Sequence, residues 1–94
     1  MKSAQRVLIT GAGSGLGQAL AHRFAANGAQ VACIDIQFER LEATLATLSG
    51  SGHTAFAADV SNDDAMQAMA DAVLTEWGVP DVLINNAGIA SGGD

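Results

Sequence analysis

Four short apolar runs alternate with three stretches of helical period along this chain. "RVLIT" (6–10), "VACID" (31–35), "HTAFAA" (53–58) and "DVLIN" (81–85) have the length and β-branched content of strands, "HTAFAA" being the weakest. Between the first two, a helix is predicted from about Leu16 to Asn27, with Leu16, Leu20 and Phe24 on one face and Gly28 placed to end it. In "FERLEATLATLSG", Phe38, Leu41, Leu45 and Leu48 fall at spacings of three, four and three, a single apolar helical face. Ser61 and Asp64 form a capping signal ahead of a third helix that runs to about Trp77. Its stripe of Met66, Met69, Ala70, Val73, Leu74 and Trp77 is core packing, and "GVP" breaks the helix before the fourth strand.

The strands are continuously apolar rather than alternating, as expected where crossover helices cover both faces of a sheet. Helical connections impose parallel pairing and right-handed crossovers. The predicted architecture is therefore α/β, a Rossmann-type doubly wound parallel sheet in truncated half form. It runs β-α-β-α-β-α-β with strand order 3-2-1-4, as a single partial domain over residues 1–94.

Composition narrows the chemistry. The chain has 94 residues, of which 49% are hydrophobic and 15% charged, values of a globular domain rather than a disordered one. Ten acidic against four basic residues argue against a nucleic-acid or anionic membrane surface, which needs clustered Lys and Arg. A bound phosphate must then be held mainly by backbone N–H groups. No apolar run is long enough to span a bilayer and "MKSAQRVLIT" lacks a leader's apolar core, so a cytoplasmic location is expected. Cys33, the one cysteine, reads as a buried small hydrophobe, and neither a disulfide nor a metal site is expected. His22 and His53 are expected at the surface, without partners.

"TGAGSGLG" (10–17) lies between the first strand and the first helix. Glycines there permit positive φ and a close approach of backbone to ligand. The amides and the positive dipole end of the helix's first turn suit an anion, a pyrophosphate in particular. The spacing is neither G-x-G-x-x-G, since Leu16 takes the last glycine's place, nor a P-loop, since no lysine follows. Taken alone, the loop is also compatible with a plain strand–helix connection. Asp35, eighteen residues past Gly17, is on its own equally a strand-end surface carboxylate.

Thr10, Gly11, Gly15 and Gly17 form T-G-x-x-x-G-x-G; with Asp35, "ADV" (58–60) and "NNAG" (85–88), they resemble the short-chain dehydrogenases/reductases in order and spacing across the chain. That resemblance implies a nicotinamide dinucleotide held by Gly11, Ser14, Gly15, Leu16 and Gly17, by Asp35 and Ile36, by Asp59 and Val60 at the adenine, and by Asn86, Ala87 and Gly88 at the mouth of the crevice. It gives Asp35 the two hydroxyls of the adenosine ribose, each charge-assisted bond contributing about 1.5–3 kcal/mol. The same carboxylate would repel a 2′-phosphate by about 4 kcal/mol at roughly 4 Å in a surface-like dielectric. No arginine adjoins Asp35 or stands in the loop, and Arg40 is one helical turn further on, so NAD is expected over NADP. Asp59 and Val60 also fit a turn leading to the Ser61 cap, and Asn85–Asn86 also fit a tie between strands.

In that family, hydride moves between the nicotinamide and an alcohol or carbonyl, with a proton carried by a tyrosine beside a lysine, assisted by a serine and an asparagine. Those four fall beyond residue 94; the chain has no tyrosine and its only lysine is Lys2. The expectation is the NAD-binding half of such an oxidoreductase, without turnover of its own. The alternative is a non-catalytic nucleotide-binding or subunit-pairing module. The fourth strand is expected to be a bare apolar edge that promotes self-association.

Overall fold

The computed structural model describes residues 4–86. The elements are β1 (Arg6–Thr10), α1 (Gly15–Ala26), β2 (Gln30–Asp35), α2 (Phe38–Thr47), β3 (Thr54–Ala57), α3 (Asp63–Glu76) and β4 (Val82–Asn85). One four-stranded sheet has the order β3-β2-β1-β4, with every pair parallel. This is the expected half of a doubly wound sheet, and the order reverses beside β1.

The pleat divides the core in two. Val7, Ile9, Val31 and Cys33 face one side, where they pack with α1 and with Leu41 of α2; Leu8, Ala32 and Ile34 face the other, against Met69 and Val73 of α3. The central strands β1 and β2 are buried along almost their whole length, which explains their unbroken apolar sequence. β4 differs. Val82 and Ile84 join the α1 side, while Leu83, on the α3 side, is 67% exposed in an open groove it shares with Met66, Met69 and Val73 of α3.

Three sequence expectations shift in detail. The buried face of α1 consists of Gly17, Ala21 and Ala25, not of its large apolar residues; Leu20 and Phe24 pack at the margin and Leu16 is 60% exposed. Small residues let the helix lie close on the sheet: a Cβ on Gly17 would collide with the Gly11 carbonyl. Phe38 likewise stands outside the core, 46% exposed, at the very start of α2. The N-cap of α3 is Asn62, whose side chain accepts from the Ala65 amide at 2.8 Å, rather than Ser61. Ser61 is turned back to Asp59 instead.

Both histidines have partners, contrary to expectation. His22 is exposed with Nε2 2.6 Å from Thr47 Oγ1. His53 precedes β3 and ties its own loop to β2: Nδ1 accepts from the Val31 amide at 3.0 Å, and Nε2 lies 2.6 Å from the Ser49 carbonyl in that loop. A donor at Nε2 and an acceptor at Nδ1 define the neutral Nε2–H tautomer. Cys33 is fully buried, and burial pushes its thiol up to about 12, so it packs as a small apolar side chain. No helix among the described residues is long and apolar enough to cross a membrane.

Candidate nucleotide-binding crevice

The carboxyl ends of β1, β2, β3 and β4 open onto a cleft of about 500 Å³. Strands in parallel register deliver their last residues, Thr10, Asp35, Ala57 and Asn85, to one edge of the sheet, and the residues that follow them, Gly11, Ile36, Ala58 and Asn86, line the cleft. The glycine loop forms its floor. Gly11 and Gly15 take φ of 69° and 58°, in the left-handed region that glycine enters without penalty. Ser14 is the N-cap of α1 but makes no side-chain bond to the helix's amides. The first turn of α1 thus faces the cleft with its dipole and without a protein cap.

Asp35 stands at the cleft wall, half-buried, and its carboxylate is oriented from both sides. Oδ2 accepts from the Gly13 amide at 3.0 Å and Oδ1 from the Gln37 amide at 3.1 Å. A carboxylate has roughly four acceptor sites, so two backbone bonds leave capacity for two further donors. Gly13 was not among the expected site residues, although it sits in the same quoted motif. Its space is decisive: a Cβ there would stand 2.7 Å from Arg40 Cβ and 2.8 Å from Asp35 Oδ2.

The remaining expected residues divide into those at the surface of the cleft and those beneath it. Leu16 and Ile36, each 60% exposed, line it as apolar walls, with Val60 on the β3 side. Asp59 lines it too, but its Oδ1 is engaged by Ser61, from the amide at 2.9 Å and the hydroxyl at 2.6 Å. Those bonds, the hydroxyl's foremost, hold the Asp59 carboxyl below its ordinary range. Gly17 lies beneath the surface as a packing residue. Asn86 is buried; its Nδ2 donates to the Gly11 carbonyl at 3.4 Å, while Thr10 Oγ1 donates to Asn85 Oδ1 at 3.0 Å. The end of β4 is thereby tied to the loop after β1. Ala87 and Gly88 lie outside the described residues.

Arg40 corrects the sequence picture. One turn into α2, it was expected to be too distant to matter; in the fold it lines the cleft, and its Nη1 donates to Ser14 Oγ at 3.4 Å. Helix α2 runs back over the loop, which brings a residue five positions past Asp35 beside the glycine turn. A cation and an anion therefore share this end of the cleft. Among the described residues no group of His, Cys, Asp and Glu is placed to hold a metal ion.

Residues 5–94 match the family model for short chain dehydrogenase. The chain belongs to the short-chain dehydrogenase/reductase family. It is 46% identical over 85 residues to D-threitol dehydrogenase of Mycolicibacterium smegmatis, covering 88% of this chain and 33% of that protein. It is 40% identical over 87 residues to an NADPH-dependent pterin aldehyde reductase of Arabidopsis thaliana, covering 92% of this chain and 36% of the relative. A 3-ketoacyl-(acyl-carrier-protein) reductase of Brucella melitensis, solved with NADH, superposes with a TM-score of 0.77 at 37% identity, over 84% of this chain and 32% of that one. The chain thus spans about a third of the length of these relatives. The fold is that of this oxidoreductase family, which binds nicotinamide dinucleotides; one relative here was solved with NADH and another is named as NADPH-dependent.

Proposed function

We propose that the crevice holds the adenosine half of a nicotinamide dinucleotide, with NAD preferred over NADP, and that this short-chain dehydrogenase/reductase chain forms the cofactor-binding part of an oxidoreductase acting on an alcohol or carbonyl. The observation that carries this reading is the Asp35 carboxylate, fixed at the end of β2 by two amides and left with capacity for two hydroxyl donors. The glycine loop and the first turn of α1 would take the pyrophosphate, Asp35 the ribose, and Ile36 and Val60 the adenine faces. When bound, the nicotinamide supplies hydride transfer. What the residues of this chain contribute is binding and orientation, and the proton-moving groups of the family have no counterparts among them.

The cofactor preference follows from charge. A 2′-phosphate would occupy the space beside Asp35 at a cost of several kcal/mol, about 4 for one pair of unit charges near 4 Å. Arg40 offsets part of that repulsion, but it is exposed and screened, whereas the Asp35 carboxylate would be in direct contact. Titration of the labelled protein with NAD and with NADP tests this, following the amide resonances of Gly13, Ile36 and Val60. Tighter binding of NAD supports the reading; equal or tighter binding of NADP contradicts it.

We also infer self-association through the outer edge of β4. Among the described residues that strand pairs on one side only, with β1, and carries exposed Leu83, which shares a groove with Leu74 (54% exposed). An unpaired apolar edge is a template for another strand.

A further inference from the structure

We propose that Thr44, in the middle of α2 and outside the crevice, positions Asp35 for the ribose by holding the Ala12–Gly13 peptide between them. The proposal rests on the ribose assignment above. Thr10, Thr44 and Asn86 are the buried polar side chains among the described residues, and all three lie around the glycine loop. Asn86 reaches the Gly11 carbonyl; Thr44 Oγ1 reaches the next one, Ala12, at 3.1 Å. The Ala12 carbonyl and the Gly13 N–H belong to the same peptide unit, which is trans and so directs them to opposite sides. One side is bonded to Thr44, the other to Asp35 Oδ2 at 3.0 Å. A single rigid plane thus links a hydroxyl in α2 to the carboxylate at the end of β2.

The linkage is polar as well as geometric. A hydroxyl donating to the carbonyl polarises the peptide and strengthens its N–H as a donor, so each bond in such a chain reinforces the next. Thr44 is fully buried, and its oxygen accepts from Gln18 Nε2 at 3.2 Å, so α1, α2 and the loop meet at this one atom. Its proton lies between two carbonyls at 3.1 Å, Ala12 and Arg40, and the Arg40 bond is the ordinary back-bond of a helical threonine. The Ala12 bond is the one that reaches across 32 residues of sequence to the loop. Nothing about packing alone requires a hydroxyl here, since valine has nearly the same shape.

The test uses Thr44→Val, which keeps the shape and removes the hydroxyl, and Thr44→Ser, which keeps the hydroxyl. Binding of ADP-ribose is compared with that of the analogue lacking the 2′-hydroxyl of its adenosine ribose, and exchange of the Gly13 amide is followed without ligand. Wild type is expected to prefer ADP-ribose by about tenfold, the scale of one hydrogen bond to a charged group. Thr44→Val should bring that preference close to parity and speed Gly13 exchange, while Thr44→Ser retains both. A generally loosened protein would bind both ligands worse without changing their ratio. If Thr44→Val is too unstable to titrate, Gln18→Leu is used, with a smaller loss of preference expected. Unchanged preference in the folded variant, or its loss in Thr44→Ser as well, overturns the proposal alone. A wild type indifferent to the 2′-hydroxyl overturns the ribose assignment and the proposal with it.

Discussion

The Gly13 amide donates to Asp35 Oδ2 at 3.0 Å, across 22 residues of sequence, and a side chain at position 13 would collide with the acceptor. The glycine loop and the acid are therefore one unit: the loop proposed to take a diphosphate also aims the carboxylate proposed to take a sugar. Gly13→Ala should displace Asp35 and Arg40, since its Cβ would lie under 3.0 Å from both. Overpacking of this kind costs about 1–3 kcal/mol in stability. The expected result is a modest fall in urea midpoint with loss of measurable ADP-ribose binding. Unchanged binding would show that the contact does not orient the acid.

Gly17→Ala should behave differently. Its Cβ meets the backbone carbonyl of Gly11 and the side chain of Asn86, and a backbone carbonyl in the floor of the cleft has little room to give. Stability should fall by about 3 kcal/mol or more, towards the upper end of overpacking costs. Chemical denaturation checks this, and a smaller loss than for Gly13→Ala would contradict it.

Much of this was legible beforehand, for reasons that particular residues make plain. Val7–Ile9 and Val31–Ile34 are central and covered on both faces, so their apolar runs announce strands, and the helical spacings between them impose parallel order. The cleft's rim follows from that order alone. Hidden from the sequence were contacts that close on the loop: Arg40 on Ser14 and Thr44 on Ala12 from α2, and Asp35 on Gly13 from the end of β2. Each joins residues 22 to 32 positions apart, and periodicity carries no information at that range. The α1 face misled because helix–sheet distance is set by Gly17, Ala21 and Ala25, while Leu16 is left for the cleft. His53 was read as unpartnered because its partners are backbone groups, the Val31 amide in β2 and the Ser49 carbonyl in its own loop, which residue spacing does not reveal.

His53 joins β2 to the segment before β3 with both ring nitrogens. Truncation by His53→Ala would leave the amide of Val31, a fully buried residue, without its acceptor. Loss of a buried partner costs about 1–3 kcal/mol. Equilibrium unfolding should show a loss in that range; a change under about 0.5 kcal/mol, the level of an ordinary surface substitution, would contradict the bridging role.

Asp59 gives a pH dependence with a definite sign. Its carboxyl is held below the ordinary 3.8 by the Ser61 hydroxyl and amide. The folded-state value is lowered, so its contribution is present above the unfolded-state value and is lost as pH falls through the lowered one. Ser61→Ala removes the larger of the two causes and should move the Asp59 titration back up towards 3.8. Carboxyl-detected NMR across pH 2–5 reads this directly, and an unmoved titration would contradict the assignment.

Leu83→Lys tests the edge. The side chain is 67% exposed on a strand whose outer edge is unpaired among the described residues, where a charge discourages further pairing. Wild type should show concentration-dependent association by sedimentation velocity, and the variant should remain monomeric over the same range. A wild type that is monomeric throughout contradicts the self-association.

The central claim is tested most directly by isothermal titration of ADP-ribose into wild type and into Asp35→Ala. Wild type should release measurable heat, and Asp35→Ala should bind at least about tenfold more weakly, as expected for losing bonds to a charged acceptor. Equal heats and equal affinities from the two proteins would contradict the assignment of this carboxylate to the sugar of a dinucleotide.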